Sequence, residues 1–334
     1  MRMQDFAVSY HAATEIVGLF REVLEGCKLT SDETLLLFTD TRFNPTYPAA
    51  FMAAGQEIGA EVIQMTVPST LPEISSAYIR DAWKAADLVI GMSQVQWLYS
   101  RAHDEARQSG TRALMVVEPI DVLRRLSPNE DVRKRGRAGV PLLTAGKEMR
   151  ITSKNGTDFT VNKEGREAYT LYSLADEPGK WDHWPQGLVT FFAAPGQGNG
   201  TIVVDPGTVF LKFRRHSTEP VKLTVREGRI VKFEGGTEAR LVEEWFAQWN
   251  DPRSYELAHV GWGTEHRADW NVIGMDSEAY YANFLLAFGR NIFWPVGGDN
   301  DVESHWDFCC LDHDIYVDDQ VIVENGTIVP ENLK

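Results

Sequence analysis

The stretch Glu33-Thr34-Leu35-Leu36-Leu37-Phe38-Thr39-Asp40 has a continuous apolar centre and ends in a carboxylate. A strand of this composition is typical of a parallel sheet that is buried on both faces. The pattern continues along the first half of the chain, with further strands predicted at 61–67, 87–93 and 112–118 and helices at 48–59, 74–86 and 99–109. Strands that alternate with helices indicate a doubly wound α/β domain with a mostly parallel sheet. No Gly-x-Gly-x-x-Gly follows the first strand, so the sequence does not predict a dinucleotide site.

The second half of the chain has a different pattern. Residues 148–161 alternate apolar and polar side chains around Asn155-Gly156, which is a strong hairpin signal. Further strands are predicted at 187–194, 201–204, 208–214, 221–225 and 230–234, followed by an amphipathic helix at 237–249. We therefore predict an α/β domain over residues 1–147 and an α+β domain with antiparallel sheet over residues 148–334.

Composition and charge disfavour several classes of protein. The 334 residues suffice for two domains, and 43% hydrophobic with 24% charged residues is typical of a globular protein. The formal net charge of −15 disfavours nucleic acids and anionic membranes as partners. No apolar run reaches the roughly 18 residues of a membrane span, and no secretory signal is visible. Cys27, Cys309 and Cys310 form no disulfide framework, and the adjacent Cys309 and Cys310 are expected to be buried thiols. A cytoplasmic location is predicted.

The segment Ser304-His305-Trp306-Asp307-Phe308 contains the candidate chemistry. In an extended strand His305 and Asp307 point to the same face, because residues two apart share a side. One imidazole and one carboxylate are two of the three ligands in a two-histidine, one-carboxylate site, which suits Fe(II). Mn(II) or Zn(II) would accept similar ligands. The third ligand has to come from another segment.

Two glycine-punctuated segments extend this pattern, Glu256-Leu257-Ala258-His259-Val260-Gly261-Trp262-Gly263-Thr264 and Asn283-Phe284-Leu285-Leu286-Ala287-Phe288-Gly289-Arg290-Asn291. The thermophilic-aminopeptidase-like metalloenzymes have four motifs in the same order as this chain: a strand ending in Thr-Asp, then Ala-x-x-Gly-x-Gly, Ala-x-Gly-x-Asn and His-x-Asp. The chain resembles most the mononuclear-iron branch of that superfamily, the 2,5-dihydroxypyridine 5,6-dioxygenases of nicotinate and nicotine degradation. The resemblance covers most of the chain and is sharpest over residues 181–316.

The chain departs from the two-metal peptidases of the superfamily at two positions. Where those enzymes have a glutamate before x-Gly-x-Gly, this chain has His259, and where they have a histidine before the later glycine, it has Leu285. Leucine cannot bind a metal, so a second ion would lose a ligand. The resemblance implies that His259, His305 and Asp307 together bind a single Fe(II).

Two other histidines are alternative ligands. His266 lies seven residues after His259, among charged residues that are typical of a solvated loop. His313 lies within Asp312-His313-Asp314, which we interpret as a pairing network next to the site.

The resemblance also implies catalytic and substrate-binding residues. His183, within Trp181-Asp182-His183-Trp184-Pro185-Gln186-Gly187, matches a catalytic histidine of the family and is expected to act as a general base. The alternative interpretation of this segment is a surface loop whose tryptophans pack on the core. Leu98 matches an apolar substrate-facing position after a strand end, where open sheets bind ligands. Tyr99 stands where the family has a histidine, and the helix that begins there is also compatible with ordinary packing.

The resemblance implies an extradiol-type, mononuclear non-haem iron dioxygenase. Its partners would be O2 and a small aromatic substrate, 2,5-dihydroxypyridine or a close dihydroxylated analogue, which is opened to N-formylmaleamic acid. Fe(II) is the expected cofactor, and a homo-oligomer is the expected assembly. Two alternatives stay open: an aminopeptidase-like amide hydrolase with two metals, against which Leu285 argues, and a non-catalytic relative that binds a small molecule or a partner.

Overall fold

The computed structural model describes residues 10–163 and 165–334, which form two compact units. The first unit contains the described residues up to Pro128 together with Ser173–Trp184, and the second contains Asn129–Tyr172 and Pro185–Lys334. The two units are therefore interleaved along the sequence. The domain boundary expected between residues 147 and 148 stays a prediction, since compact units and independently folding domains need not have the same limits.

Helices and strands alternate in the first part of the described chain, and strands predominate from residue 148 onward. The helices are α1 (Tyr10–Gly26), α2 (Thr46–Ile58), α3 (Ala77–Ala85), α4 (Arg101–Gln108), α5 (Ile120–Arg125), α6 (Glu130–Ala145), α7 (Thr237–Ala247) and α8 (Asp276–Ala279). The strands are β1 (Thr34–Asp40), β2 (Glu61–Val67), β3 (Leu88–Met92), β4 (Arg112–Val116), β5 (Glu148–Ser153), β6 (Asp158–Asn162), β7 (Ala168–Leu171), β8 (Trp181–Trp184), β9 (Leu188–Phe192), β10 (Asn199–Val204), β11 (Val209–Phe210), β12 (Arg215–His216), β13 (Val221–Arg226), β14 (Arg229–Gly235), β15 (Leu257–Gly263), β16 (Phe284–Gly289), β17 (His305–Cys310), β18 (His313–Val317), β19 (Gln320–Glu324) and β20 (Thr327–Ile328). Short 3₁₀ turns lie at Leu211–Phe213, Pro252–Tyr255 and Glu331–Leu333.

The sheet of the first unit is parallel, with the described strands in the order β2-β1-β3-β4-β8. β1 and β3 are buried at nearly every position, as their apolar sequences require, whereas the edge strand β2 is largely exposed. The chain runs from β1 to β2 and then crosses back over β1 to β3. The sheet therefore has a topological switch point between the carboxyl ends of β1 and β3. The predicted doubly wound α/β architecture is confirmed.

β8 is an element that the sequence pattern does not predict. A surface loop is one expectation for residues 181–187, and that expectation is wrong for Trp181–Trp184, which is buried and pairs in parallel with β4. His183 is opposite Met115 in this pairing, and Trp184 Nε1 donates to the Leu126 carbonyl at 3.0 Å. A strand of four residues is too short to show a period, and its partner lies far back in the chain.

The second unit contains two antiparallel sheets, with strand orders β14-β13-β10-β6-β5-β18-β19-β20 and β12-β11-β17-β16-β15-β9-β7 among the described residues. One apolar core includes side chains of both sheets, such as Phe159 and Leu223 of the first and Val260 and Phe308 of the second. The predicted hairpins form as β5–β6 and β13–β14, so the α+β expectation is confirmed. The single strand expected at 208–214 is wrong.

That segment is broken into three short elements. β11 ends at Phe210, a 3₁₀ turn follows, and β12 begins at Arg215. The chain reverses here because Arg214 adopts a left-handed conformation, with a φ of 53°. β11 and β12 then pair with each other in antiparallel fashion.

The central strands β15, β16 and β17 alternate between two faces, since successive side chains of a strand point to opposite sides. The core-facing residues are Val260, Trp262, Phe284, Leu286, Phe288, Trp306, Phe308 and Cys310. The intervening residues face the other way and are His259, Gly261, Leu285, Ala287, His305, Asp307 and Cys309. The period-two pattern thus gathers the candidate ligands on one face of the sheet.

None of the helices in the described residues combines the length and the apolarity that a membrane crossing requires. The three cysteines are free and buried, as expected for Cys309 and Cys310. Burial raises the pKa of the Cys27 thiol to about 12, which makes it an unreactive core residue.

Candidate metal centre

Three side chains meet on one face of the sheet that contains β15, β16 and β17, the face that points away from the core. They are His259 on β15, and His305 and Asp307 on β17. β16 lies between these strands, and its Ala287 is opposite both His259 and Asp307. The small alanine side chain lets the imidazole and the carboxylate approach each other above the middle strand. Gly289, opposite His305, has a φ of 104°, and a β-carbon at this position would overlap the backbone of Ser304, just before β17.

Asp307 links the two histidines. His259 Nε2 lies 3.2 Å from Asp307 Oδ1, and His305 Nε2 lies 3.2 Å from Asp307 Oδ2. The three ligand atoms all lie within 4.8 Å of one another. Two ligand atoms that lie about 2.1 Å from an ion and at right angles are separated by about 3 Å, which is close to the two 3.2 Å distances from Asp307. Among the side chains that the structure describes, those of residues 15–163 and 165–334, no other group of three or more His, Cys, Asp or Glu residues comes this close together.

Burial and charge together set the protonation of the group. Burial lowers the pKa of His259, and the hydrogen bond to Asp307 offsets this only in part. Burial acts to raise the pKa of Asp307, yet the neighbouring His305 and His259 hold it well below its usual range. A neutral imidazole at His259 and an ionised carboxylate at Asp307 are the forms that bind a metal.

The two imidazoles are oriented in different ways. His305 Nδ1 lies 2.8 Å from the Arg290 carbonyl oxygen and must donate to it, so Nε2 is the nitrogen left to face the carboxylate. A proton or a metal ion has to lie between that Nε2 and the negative charge. His259 Nδ1 is buried and has no hydrogen-bond partner among the described residues. The His259 ring packs instead near Phe192, with 5.6 Å between ring centroids, and Phe192 stacks on Phe293 at 4.6 Å.

The alternative histidines do not join this group. His266 Nδ1 lies 2.8 Å from Arg135 Nη1 and accepts its hydrogen bond, because a guanidinium group only donates. His313 uses both ring nitrogens, Nδ1 with the Leu311 carbonyl at 2.7 Å and Nε2 with Thr157 Oγ1 at 3.0 Å. The structure therefore groups neither of these two histidines with His305 and Asp307 on β17.

Gly261, Leu285 and Cys309 form a row across the three strands beside the candidate ligands, and this row offers no further set of metal donors. Leu285 is fully buried and is opposite Gly261 on one side and Cys309 on the other. Leu285 and Gly261 have no ligand atoms in their side chains. Burial raises the pKa of the Cys309 thiol well above its usual range, and a neutral thiol is a poor ligand. This row disfavours a second ion.

His183 belongs to the first unit, where it is buried within β8. Its backbone N–H donates to Asp182 Oδ1 at 2.8 Å. The same carboxylate accepts from the Ser173 N–H at 3.0 Å and lies 3.4 Å from Lys180 Nζ. These contacts fix the backbone around His183, whose catalytic role stays a prediction.

Leu98 and Tyr99 also belong to the first unit and lie between β3 and α4. Leu98 is half-buried, whereas Tyr99 is buried with a φ of 59°, a left-handed conformation that is rare for a large side chain. The helix expected from residue 99 begins only at Arg101, because Ser100 caps it by accepting from the His103 N–H at 3.2 Å. Substrate contact by Leu98 and Tyr99 stays a prediction.

Asp40, at the end of β1, ties down the start of that same segment. Asp40 Oδ2 accepts from Ser93 Oγ at 2.9 Å and from the Gln94 N–H at 2.8 Å, and Oδ1 accepts from the Arg42 N–H at 2.8 Å. Burial acts to raise the pKa of Asp40, but these hydrogen bonds lower it below its usual value. The sequence indicates Asp40 only as the end of a strand. Its contact with Ser93 follows from the pairing of β1 with β3.

The fold and the site together define a class: a parallel α/β unit joined in one chain to an α+β unit with a His/His/Asp group that could hold a metal ion. Against known proteins, the 2,5-dihydroxypyridine 5,6-dioxygenase (NicX) family matches residues 15–330. The chain belongs to this family, as the resemblance predicted.

Individual relatives agree with the family assignment. The 2,5-dihydroxypyridine 5,6-dioxygenase of Pseudomonas putida is 32% identical over 340 residues, which cover 94% of this chain and 96% of that protein. A solved structure of 2,5-dihydroxypyridine dioxygenase from Pseudomonas putida KT2440 aligns with a TM-score of 0.89 and 30% identity, over 96% of this chain and 99% of that one. Wild-type AmpT from Thermus thermophilus has the same fold, with a TM-score of 0.66 and 12% identity over 96% of this chain and 100% of that one. The expected thermophilic-aminopeptidase-like fold is confirmed.

Proposed function

We propose that this protein is an extradiol-type, mononuclear non-haem iron dioxygenase that opens 2,5-dihydroxypyridine, or a close dihydroxylated analogue, with O2. From 2,5-dihydroxypyridine the product is N-formylmaleamic acid, which contains both atoms of O2, so no external reductant is needed. The observation that carries the proposal is the His259/His305/Asp307 group in a chain of this dioxygenase family. The substrate is inferred from the names of the relatives.

His259, His305 and Asp307 are the proposed iron ligands. Two imidazoles and one carboxylate on one side of an ion are the ligand set of many Fe(II) oxygenases, and they leave the other positions open. When bound there, iron would supply the coordination positions at which a ring hydroxyl and O2 come together. The low pKa of Asp307 supports this role, because its carboxylate is already ionised at neutral pH.

His183 is the proposed general base. An imidazole can accept a phenolic proton near neutral pH, and removal of that proton makes the ring more electron-rich. The proposed substrate contacts are Leu98, which offers an apolar surface to a ring, and Tyr99, which offers a phenolic hydroxyl. Hydrogen bonds fix the backbone at His183 and at Gln94, near the start of the segment that contains Leu98, and this supports these roles because a reacting group has to be held in position.

An amide hydrolase with two metal ions is disfavoured. It would need carboxylate or imidazole donors beside the first ion, and the row of Gly261, Leu285 and Cys309 offers only a buried thiol. The likeness to AmpT, at 12% identity, concerns the fold alone. We further propose a cytoplasmic homo-oligomer without a nucleic-acid or membrane partner, in keeping with the net charge of −15.

The deciding experiment is anaerobic reconstitution with Fe(II), followed by measurement of the bound metal and of O2 uptake with 2,5-dihydroxypyridine. We expect a single iron ion per chain and equal consumption of O2 and substrate. His305→Ala should abolish uptake because it removes a ligand. His216→Ala removes a half-exposed histidine of the same unit and should leave uptake unchanged.

Other results would contradict parts of the proposal. A single tightly bound iron with no O2 uptake would exclude 2,5-dihydroxypyridine and direct the search to other dihydroxylated rings. Two metal ions per chain without O2 uptake would exclude the dioxygenase and favour the hydrolase.

A further inference from the structure

We propose that Asn300 and Asn291, which lie in the loop between β16 and β17, are positioning residues that set the geometry of the two histidine ligands. Both side chains are buried. Neither belongs to the ligand group, so each would act through the backbone next to a ligand. This role rests on the metal site of the proposed function and deepens it.

Asn300 acts on His305 through the backbone at Arg290. Asn300 Nδ2 donates to the Gly289 carbonyl at 3.0 Å and to the Arg253 carbonyl at 2.9 Å. The Gly289 carbonyl belongs to the peptide bond that precedes Arg290, so these contacts fix the direction in which the chain enters that residue. The following carbonyl, that of Arg290, accepts from His305 Nδ1.

Asn291 connects the same loop to the strand of the other histidine. Its backbone N–H donates to the Asn300 carbonyl at 3.1 Å, and its Oδ1 accepts from the Asn300 N–H at 3.0 Å, so the two residues are joined twice. Its Nδ2 lies 3.4 Å from the carbonyl oxygen of Ala258, the residue before His259. The pair therefore links the backbone beside both imidazole ligands.

The loop needs such support at this point. Gly289 leaves the sheet with a positive φ, and glycine restrains the backbone less than any other residue. Beyond the paired Gly289 and His305, the Arg290 N–H donates to the Ser304 carbonyl at 2.7 Å, and the pairing of β16 with β17 ends there. Arg290 Nη2 also donates to Asp301 Oδ1 at 2.7 Å, and this ion pair should hold the loop together when one asparagine is removed.

The affected quantity is the metal affinity. Loss of an outer partner of a metal ligand typically costs about 10–100-fold in affinity, because the ligand then has to be ordered on binding. We expect Asn300→Ala to weaken Co(II) binding by about tenfold or more. Asn291→Ala should have a smaller effect, since its contact beside His259 is long.

The experiment measures Co(II) binding to the full chain by titration of its visible absorption bands, without substrate. NMR of the metal-free protein, labelled with ¹⁵N at histidine, reports whether the His305 proton resides on Nδ1. We expect the His305 Nδ1–H signal of the metal-free protein to be well defined in the wild type and altered in Asn300→Ala. We expect the absorption bands of bound Co(II) to differ in the same way. Asn271→Ala, which removes an exposed asparagine of the same unit, is the matched control and should match the wild type.

The outcomes separate this role from the proposed function. If Asn300→Ala and Asn291→Ala bind Co(II) like the wild type, the positioning role is excluded and the ligand assignment stands. If the variants lose thermal stability but keep the wild-type affinity, bands and tautomer, the asparagines are merely structural and the role is again excluded. If the wild type itself binds no Co(II), both the positioning role and the ligand assignment fail. Should one variant not fold, the other still decides.

Discussion

At the scale of the residue, the candidate metal site depends on a small side chain as well as on its three proposed ligands. His259 and Asp307 belong to strands that do not pair with each other, and they meet only above Ala287. Ala287 is fully buried, so a larger side chain at this position has no solvent to turn into. The space above the middle strand is therefore part of the site.

Ala287→Val should weaken divalent-metal binding by about tenfold or more, because its added methyl groups occupy the space in which the imidazole and the carboxylate meet. Overpacking of a buried position also costs about 1–3 kcal/mol of stability. Ala287→Gly is the matched control and should retain the wild-type affinity despite some loss of stability. Co(II) titration of both variants checks this, and equal affinities for Val and Gly would show that the space is not critical.

At the scale of the element, two carboxylates fix the positions of segments whose placement the sequence patterns do not predict. Glu238, in the first turn of α7, is buried and accepts from Arg215 Nη1 and Nη2 of β12, at 2.7 Å each. It also accepts from Thr218 Oγ1 at 2.8 Å. The hydrogen bonds from Arg215, followed by those from Thr218, lower the pKa of Glu238 from 4.5 to about 2 against the opposing effect of burial.

This low pKa predicts a pH dependence of stability. Because the folded-state pKa of Glu238 lies below its unfolded value, the carboxylate contributes its full stability above about pH 4.5 and loses it as the pH falls towards 2. We expect Glu238→Gln to lower the free energy of unfolding at pH 7 by on the order of 2 kcal/mol, reduced by the partial exposure of Arg215. Urea denaturation between pH 7 and about pH 3 should show this difference shrink, and a constant difference would contradict the assignment.

The second carboxylate, Asp40, holds β1 to the segment that contains Leu98 and Tyr99. Asp40→Asn keeps one acceptor oxygen and places an amide against a backbone donor, so we expect a loss of about 1–2 kcal/mol in stability. If that segment contacts the substrate, KM should rise more than kcat falls. Asp87→Asn is the matched control, since Asp87 accepts from the Thr34 N–H at the other end of the same strands. An equal KM for the two variants would contradict a positioning role for Asp40.

At the scale of the whole molecule, the proposed metal ligands lie on two strands of one sheet that are separated by a third strand. The unfolded chain has no such arrangement, so metal binding should stabilise the folded protein. We expect about 2.7 kcal/mol at a free metal concentration one hundred times the dissociation constant, seen as a rise of several degrees in the unfolding temperature. Calorimetry with Co(II) and with a chelator checks this, and His305→Ala should show no metal-dependent change.

The sequence by itself determined the features that depend on local patterns. Continuous apolar runs such as Leu35–Phe38 specify buried strands, and period-two alternation puts His305 and Asp307 on one face whatever the rest of the fold. The resemblance pointed to His259 as the third member of the group, and the structure places it 3.2 Å from Asp307; its role as a ligand stays a prediction. The strand predictions succeeded because their information lies within a few neighbouring residues.

Only the tertiary structure decided which distant segments meet. The strand that contains His183 is defined by its pairing with β4, which local periodicity does not record. The Arg290 carbonyl meets His305 through the loop that follows β16, and Ala287 lies between His259 and Asp307 through strand register. A backbone carbonyl or an alanine carries no chemical signal in a sequence. Pairing between segments far apart in the sequence depends on the packing of many residues together. The residues that surround the candidate site are therefore brought there only by the tertiary structure.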